Sequence, residues 1–148
     1  MEPGSPPSPP RNGGPVPSPR VVPWVLVCDD TASIRLLIRI NLELAGFEVL
    51  EAADGSAALA LIRQHRDRPP AVLVLDGQMK PLDGWATIAE LRSDTSLAAV
   101  PIIMVTAALQ QREDERAYEL GVDAFVAKPF EPEELVEIVT RLARAGSP

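Results

Sequence analysis

The sequence predicts an α/β fold in which a doubly wound parallel sheet carries helices on both faces. Short apolar runs alternate with longer segments of helical periodicity, and this alternation occurs five times. Most of the runs are rich in valine, isoleucine and leucine without polar alternation, as strands covered on both faces are. A fivefold strand–helix repeat is typical of a parallel sheet with short, right-handed connections.

Five apolar runs are too short to form helices, so we predict strands there. They cover residues 24–28, 47–50, 71–75, 102–105 and 124–127. The intervening periodic segments predict helices over residues 33–45, 56–64, 83–92, 110–120 and 132–144. Gly46 and Gly121 follow two of these helices, as residues that end helices commonly do.

The chain divides into a tail and one domain. Residues 1–21 are dominated by proline, glycine and serine, with almost no apolar side chain to bury, so we expect a disordered tail. Residues 22–145 form the predicted domain, and residues 146–148 a short C-terminal tail. A length of 148 residues suits a single domain.

Composition excludes several classes of protein. The chain has 14 basic and 21 acidic residues, a net charge of −7, which argues against a nucleic-acid or anionic-membrane surface. The single cysteine, Cys28, cannot form an internal disulfide, and its place in a predicted strand indicates a packing role. Without a bilayer-length apolar run or a signal segment, we expect a cytoplasmic protein by default.

Polar residues stand where four of the predicted strands end. Asp29 and Asp30 follow the first strand, Asp76 the third, Thr106 the fourth and Lys128 the fifth. In open α/β sheets, ligands bind beyond the carboxyl ends of the strands. Three carboxylates, a hydroxyl and an ammonium are therefore expected at one rim of the sheet.

This set of groups favours a site for a hard divalent cation. Carboxylates that lie a few ångströms apart repel one another and need a counter-charge. Mg²⁺ (or Mn²⁺) prefers oxygen ligands and leaves positions for water or phosphate oxygens. The sequence has no cluster of histidine and cysteine of the kind that zinc requires.

From residue 25 to about 142, the chain resembles the response-regulator receiver domain of two-component signalling, in particular the single-domain, chemotaxis-regulator-like kind. The matching residues, in order and at the family's spacing, are Asp29-Asp30, Asp76, Met79, Asp83-Gly84, Thr106-Ala107 and residues 121–130. The resemblance implies a flavodoxin-like sheet with strand order 2-1-3-4-5.

The resemblance also implies a role for each matching residue. Asp76 is the phosphoacceptor. Asp30 and Asp76 would bind Mg²⁺ directly, together with the backbone carbonyl of Gln78, and Asp29 would act through a metal-bound water. Lys128 would pair with Asp76 at rest and with a phosphoryl oxygen afterwards.

A second group of residues would carry the switch. Thr106, with Ala107 beside it, would bind the phosphoryl group, and Phe125 would move inward with Thr106. This movement would reshape the face made by the fourth predicted helix, the fifth strand and the fifth helix. The bond between Lys128 and Pro129 is expected to be cis.

Three departures from the family pattern bear on function. Lys80 stands where the family commonly has proline, which affects the loop after Asp76. Phe125 lacks the hydroxyl of the frequent tyrosine. Gln78 and Ala108 occupy positions that tune autodephosphorylation, and since Ala108 has no polar group to orient water, we expect slow loss of phosphate.

The function predicted is a single-domain switch rather than a turnover enzyme, with Mg²⁺-dependent self-phosphorylation and autodephosphorylation. A sensor histidine kinase or a histidine phosphotransfer protein would supply the phosphoryl group. The output partner is an unknown protein, without direct contact to nucleic acid or membrane, and the chain is a monomer or a phosphorylation-dependent homodimer.

Two alternatives are weaker. A hydrolase that forms an aspartyl phosphate would carry Asp-x-Asp on the first strand, whereas Asp29 and Asp30 are adjacent. A phosphorylation-independent receiver-like protein-binding module would usually lack one of the acidic residues or the lysine, and this chain retains all of them.

Overall fold

A computed structural model of the protein describes residues 22–77, 84–107, 119 and 121–145. The strands are β1 (Trp24–Cys28), β2 (Glu48–Ala52), β3 (Val72–Asp76), β4 (Ile102–Thr106) and β5 (Ala124–Ala127). The helices described in full are α1 (Ala32–Leu44), α2 (Gly55–Gln64), α3 (Gly84–Ser93) and the C-terminal helix α4 (Pro132–Ala145). The predicted helix at 110–120 lies outside the described residues, apart from Glu119.

The five strands form one parallel sheet in the order β2-β1-β3-β4-β5. This confirms the predicted fold class and strand order. In the register of the sheet, Asp76 pairs with Val105 and Thr106 pairs with Ala127. The carboxyl ends of the strands therefore reach the same rim, where the polar residues lie.

Alternate side chains of the strands fill two separate hydrophobic cores. Leu26, Leu73 and Met104 belong to the core on the side of α2 and α3. Val27 and Val74 belong to the opposite core, on the side of α1 and α4. Because helices cover both faces of the sheet, the central strands are apolar at successive positions instead of alternating.

Three strands end later than the apolar pattern predicts. β2 continues two residues beyond residue 50, to Ala52, because Glu51 and Ala52 pair with Val27 and Cys28 of β1. β3 and β4 end at Asp76 and Thr106, one residue beyond the predicted ends, because both residues take part in ladder pairing. β2 begins later than predicted, at Glu48, since the amide of Phe47 donates to the carbonyl of Leu42 and closes α1 instead. Pairing partners decide these limits, and an apolar pattern does not record them.

Local signals explain where the helices begin and end. Gly46 after α1 has φ 99° and Gly121 before β5 has φ 82°, a region that glycine enters without steric cost. The carboxylate of Asp54 accepts from the amide of Ala57 at 2.8 Å and caps α2. Among the residues described, no helix combines the length and the apolar composition that crossing a membrane requires.

Candidate functional site

Three carboxylates meet at the carboxyl rim of the sheet. Asp29 and Asp30 follow β1, and Asp76 ends the adjacent strand β3. One carboxylate oxygen of each residue lies within 4.8 Å of the others. Asp29 and Asp76 are 2% and 5% exposed, whereas Asp30 is exposed. The cluster is thus buried on the protein side and open to solvent at Asp30.

Lys128 brings a positive charge to this cluster. Its Nζ lies 3.3 Å from Oδ2 of Asp29 and 3.5 Å from Oδ2 of Asp76. Its backbone amide donates to the carbonyl of Thr106 at 2.9 Å, which holds the chain beyond β5 against the end of β4. The bond between Lys128 and Pro129 is cis, as the resemblance implies. The ammonium is shared between two carboxylates, not paired with Asp76 alone.

Residues that the sequence reasoning did not single out hold Asp29 in place. The amide of Thr31 donates to Asp29 Oδ1 at 2.8 Å. The guanidinium of Arg35 donates to the backbone carbonyl of Asp29 at 2.7 Å and to Glu51 at 3.0 Å. Arg35 lies six residues after Asp29, near the start of α1, and this position was the only signal available in the sequence.

Burial and neighbouring charges both act on the Asp29 carboxyl. Burial raises the pKa of the Asp29 carboxyl, and the negative charge of Asp76 adds to the rise. The hydrogen bond from Thr31 and the ammonium of Lys128 act in the opposite direction without cancelling it. The ammonium of Lys128 therefore does not fully offset the burial of the Asp29 carboxylate.

The donor set fits a hard divalent cation. All three candidate ligands are carboxylates, which suit Mg²⁺ or Mn²⁺, and the exposed side of Asp30 leaves room for water. Asp29, Asp30 and Asp76 would hold such an ion. The carbonyl of Gln78 lies outside the described residues, so its part in the site stays a prediction.

Of the residues assigned to the switch, Thr106 lies at the carboxyl rim, and Phe125 lies two positions before the end of the adjacent strand β5. Thr106 is buried at the end of β4, and Ala107 after it is exposed. Phe125 on β5 is partly buried and packs against the core on the side of α2 and α3. Ala108 and the fourth predicted helix lie outside the described residues, apart from Glu119, so the rate-tuning and signalling roles stay predictions.

Cys28 occupies a packing position close to the site. It is 1% exposed, and its Sγ lies 3.2 Å from the carbonyl oxygen of Asp54. Burial, with the negative charges of Asp54, Asp29 and Asp76, raises the pKa of the thiol to about 12. The reactive form of the thiol is therefore disfavoured, which agrees with a packing role.

Comparison with known proteins places the fold and the site in a family context. The family model described as "Response regulator receiver domain" matches residues 25–140. The chain is 40% identical over 127 residues to a "Probable transcriptional regulator ycf27" of Porphyridium aerugineum, covering 83% of this chain and 50% of that protein. It is 35% identical over 123 residues to the "DNA-binding dual master transcriptional regulator RpaA" of Synechocystis sp., covering 83% and 50%.

Solved structures agree with the architecture. The receiver domain of the Francisella response regulator 1452 superposes with a TM-score of 0.77 at 30% identity, covering 84% of this chain and 99% of that chain. The chemotaxis response regulator CheY4 of Vibrio cholerae gives a TM-score of 0.75 at 30% identity, covering 82% and 99%.

The chain spans about half the length of the curated relatives it matches, and their names describe transcriptional regulators. The relatives therefore lend no support to a single-domain protein or to an output without nucleic acid, and both stay predictions. The family itself is shown by the match over most of the sequence and by the parallel sheet with its acidic rim. The chain belongs to the response regulator receiver domain family of two-component signalling.

Proposed function

We propose that the chain is a phosphorylation switch in which Asp76 accepts a phosphoryl group in a reaction that requires Mg²⁺ or Mn²⁺. The observation that carries the proposal is the meeting of three carboxylates within 4.8 Å at the rim of the sheet, beside the ammonium of Lys128. A purely structural ion pair needs only one carboxylate for one ammonium, whereas this site has three carboxylates for the ammonium of Lys128. The excess negative charge on a partly open site points instead to a cation and to an anionic group that arrives from outside.

The donor in this proposal is the phosphohistidine of a sensor kinase or of a phosphotransfer protein. A carboxylate oxygen of Asp76 attacks phosphorus as the bond from phosphorus to the donor imidazole nitrogen breaks. The imidazole keeps the electron pair and takes up a proton from solvent. Later attack by water on phosphorus restores the carboxylate of Asp76 and releases inorganic phosphate, which returns the switch to its resting state.

The chain's own residues orient and balance charge in this reaction. Asp29 and Asp30, with Asp76, would hold the divalent ion, which when bound neutralises charge on the transferring group. Lys128 is free to exchange its carboxylate partners for a phosphoryl oxygen, since it is shared between Asp29 and Asp76. Thr106 follows Val105, the residue of β4 that pairs with Asp76, and this closeness along the sheet supports a contact between the Thr106 hydroxyl and an added phosphoryl group.

The switch would be read on the surface near β5. Phe125 lies on β5, partly buried, and the backbone of Thr106 is tied to Lys128 by a 2.9 Å hydrogen bond. A new hydrogen bond between Thr106 and the phosphoryl group would shift the backbone of Thr106 and its hydrogen bond to Lys128. The side chain of Phe125 would then repack next to Thr106. We propose a partner protein as the reader of that change, a choice that the net charge of −7 supports over nucleic acid.

An apolar surface beside the site suits the protein that delivers the phosphoryl group. Ile34, Leu37, Pro129 and Phe130 line a groove of about 410 Å³ that opens next to Lys128. The outer face of α1 continues this groove with exposed apolar side chains, namely those of Leu36, Leu37, Ile40 and Leu44. A donor histidine must approach Asp76 to bonding distance, so its carrier has to cover residues of this kind around the rim.

Intact-mass spectrometry tests the acceptor. We expect the wild type, incubated with Mg²⁺ and acetyl phosphate, to gain one phosphoryl mass that is lost with a chelator. Asp76→Asn should gain none, while Asp67→Asn, a change of the same kind in the turn after α2, should behave as the wild type does. No phosphoryl gain in the wild type would favour the phosphorylation-independent binding module, whereas a gain in Asp76→Asn would show that another residue accepts the phosphoryl group.

The apolar groove is tested separately with Leu37→Glu. We expect this variant to accept a phosphoryl group from acetyl phosphate at the wild-type rate, because Leu37 is not one of the residues that form the acidic cluster. Transfer from a phosphorylated histidine kinase should fall at least about tenfold, which corresponds to about 1.4 kcal/mol. Equal transfer to Leu37→Glu and wild type would place the docking surface elsewhere without affecting the assignment of Asp76.

A further inference from the structure

The edge of the sheet at β2 is open to pairing. β2 lies at one end of the strand order and pairs only with β1 among the described strands. The amide of Glu48 donates to the carbonyl of Pro23, and the carbonyl of Ala52 accepts from the amide of Asp29. In a parallel strand alternate residues direct their backbone groups to the same neighbour, so those of Val49 and Glu51 point to the outer edge. Such an edge is usually covered or blocked.

A cavity of about 360 Å³ lies along this edge. Its lining comes from both faces of the sheet: Glu43 belongs to α1, whereas His65 follows α2 on the opposite face. Val49 and Leu50 of β2 line the cavity between Glu43 and His65, and Leu50 is 37% exposed. A cavity that wraps around a strand edge has the shape for an extended chain beside the strand, not for a compact ligand on one face.

The sequence that leads into β1 has the pattern of an edge strand. Residues 15–20 read Pro-Val-Pro-Ser-Pro-Arg, with proline at every second position. Alternate residues of a strand direct their N–H groups to the same side, so the three prolines lack donors on one side only. Val16, Ser18 and Arg20 retain theirs on the other side. This segment can therefore pair with one neighbouring strand and leaves an outer edge without donors.

The chain enters the fold at the right place for this pairing. The carbonyl of Val22 accepts from the guanidinium of Arg68, which also lies 3.4 Å from a carboxylate oxygen of Glu48 at the start of β2. A strand added beyond β2 would lie about 10 Å from β1, which is two strand spacings. Residues 19–22 can span about 13 Å when extended, so they are long enough to connect the two. The segment can thus cross below β2 and run antiparallel to it.

The charges also match. Residues 10–21 contain Arg11 and Arg20 and no acidic residue. The cavity is lined by the carboxylates of Glu43 and Glu48, which are 45% and 61% exposed, and by one guanidinium, that of Arg68, which lies 3.4 Å from Glu48. A basic proline-containing segment is therefore better suited to this edge than an acidic one, and a second copy of β2 would bring glutamates against glutamates.

We propose that residues 15–20 of this chain add to the sheet as an antiparallel edge strand beside β2, with the backbones of Val16 and Ser18 paired to those of Glu51 and Val49. The tail then occupies the cavity and blocks the outer edge with its prolines. Within residues 1–21, only residues 15–20 take part in this pairing.

Hydrogen exchange of single amides tests the pairing in the full chain. We expect the amides of Val49 and Glu51 to be protected in the wild type. Ser18→Pro removes a donor on the pairing side, so both amides should exchange at least about tenfold faster, while Val74 in the central strand β3 stays unchanged. Pro17→Ala, one residue away on the outer side, should leave the protection as it is.

Each other result overturns the proposal. Exchange of Val49 and Glu51 at the rate of an unstructured peptide in the wild type would show an uncovered edge. Protection that survives Ser18→Pro would show that this segment is not what covers it. If the surviving protection rises with protein concentration, a second copy pairs along β2 instead of the tail.

Discussion

Gly84 lies directly against the backbone of Asp76. A Cβ built on Gly84 would be 2.7 Å from the carbonyl oxygen of Asp76 and 2.9 Å from the Cα of Gly77. These neighbours are backbone atoms, which cannot turn aside as the end of a flexible side chain can. The start of α3 and the end of β3 therefore fit together only while residue 84 has no side chain, and the position of the proposed acceptor depends on that fit.

Gly84→Ala should displace the backbone of Asp76. We expect a loss of about 1–3 kcal/mol in the free energy of unfolding, because the added methyl group overpacks a buried contact. The initial rate of phosphorylation by acetyl phosphate should fall as well. Urea denaturation and mass spectrometry measure the two effects.

Gly46→Ala is the matched control for that experiment. Gly46 has φ 99°, and a Cβ added there would meet no atom within 4 Å, so alanine costs about 1–2 kcal/mol in backbone strain alone. Gly46 is remote from the acidic cluster, and its variant should be phosphorylated normally. If both variants are phosphorylated at the same rate, the contact between Gly84 and Asp76 does not position the acceptor.

Asp29→Asn should stabilise the protein at neutral pH when divalent cations are removed. The pKa of Asp29 is raised in the folded state, so the stability present while the carboxyl is protonated is lost as pH rises through that pKa. Asparagine carries no charge and keeps an oxygen for the amide of Thr31. We expect a Tm higher by roughly 4 °C, with the difference shrinking as the pH is lowered. Thermal unfolding in chelator across a pH series measures it, and a variant that is less stable at every pH would contradict the charge imbalance.

Lys128→Gln should strengthen the binding of Mg²⁺. The ammonium lies 3.3 Å and 3.5 Å from the carboxylates of Asp29 and Asp76, and two cations compete for the same oxygens. Removing the Lys128 ammonium should raise the affinity of the site for Mg²⁺ by about tenfold, or about 1.4 kcal/mol. Titration calorimetry checks this, with Arg63→Gln as a control because Arg63 pairs with Glu90 on an exposed surface. An unchanged affinity would mean that Lys128 and the metal do not share these carboxylates.

Arg92→Lys should destabilise the fold without touching the site. The guanidinium of Arg92 donates to the carbonyls of Ala98, Val100 and Gly121, and so ties the loop before β4 to the loop before β5. A lysine has no planar fork to reach all three, and we expect a loss of about 2 kcal/mol in urea denaturation. Arg63→Lys on the exposed surface should change stability by less than about 0.5 kcal/mol. Equal losses of stability in Arg92→Lys and Arg63→Lys would show that the three hydrogen bonds of the Arg92 guanidinium contribute little.

Much of the fold could be predicted from the sequence, because parallel strands leave a strong local pattern. The runs at β1 and β4 are apolar at every position up to the rim, since helices cover both faces, and the helical segments repeat with their own period. The candidate site was also visible in part. Polar residues that directly follow such runs must lie at one rim of the sheet, and the carboxylates of Asp29, Asp30 and Asp76 do lie together there.

The sequence by itself thus determined the class of fold, the order of its elements and the edge at which the acidic residues gather. Only the tertiary structure decided how they are held: Lys128 and Asp29 are 99 positions apart and meet at 3.3 Å, while Arg35 supports the Asp29 backbone and Gly84 makes room for that of Asp76. The physical reason is that the types and spacing of residues show which face of a helix or strand is buried. The distance between two side chains depends on how deeply helices pack and how strands align, and those are properties of the assembled sheet.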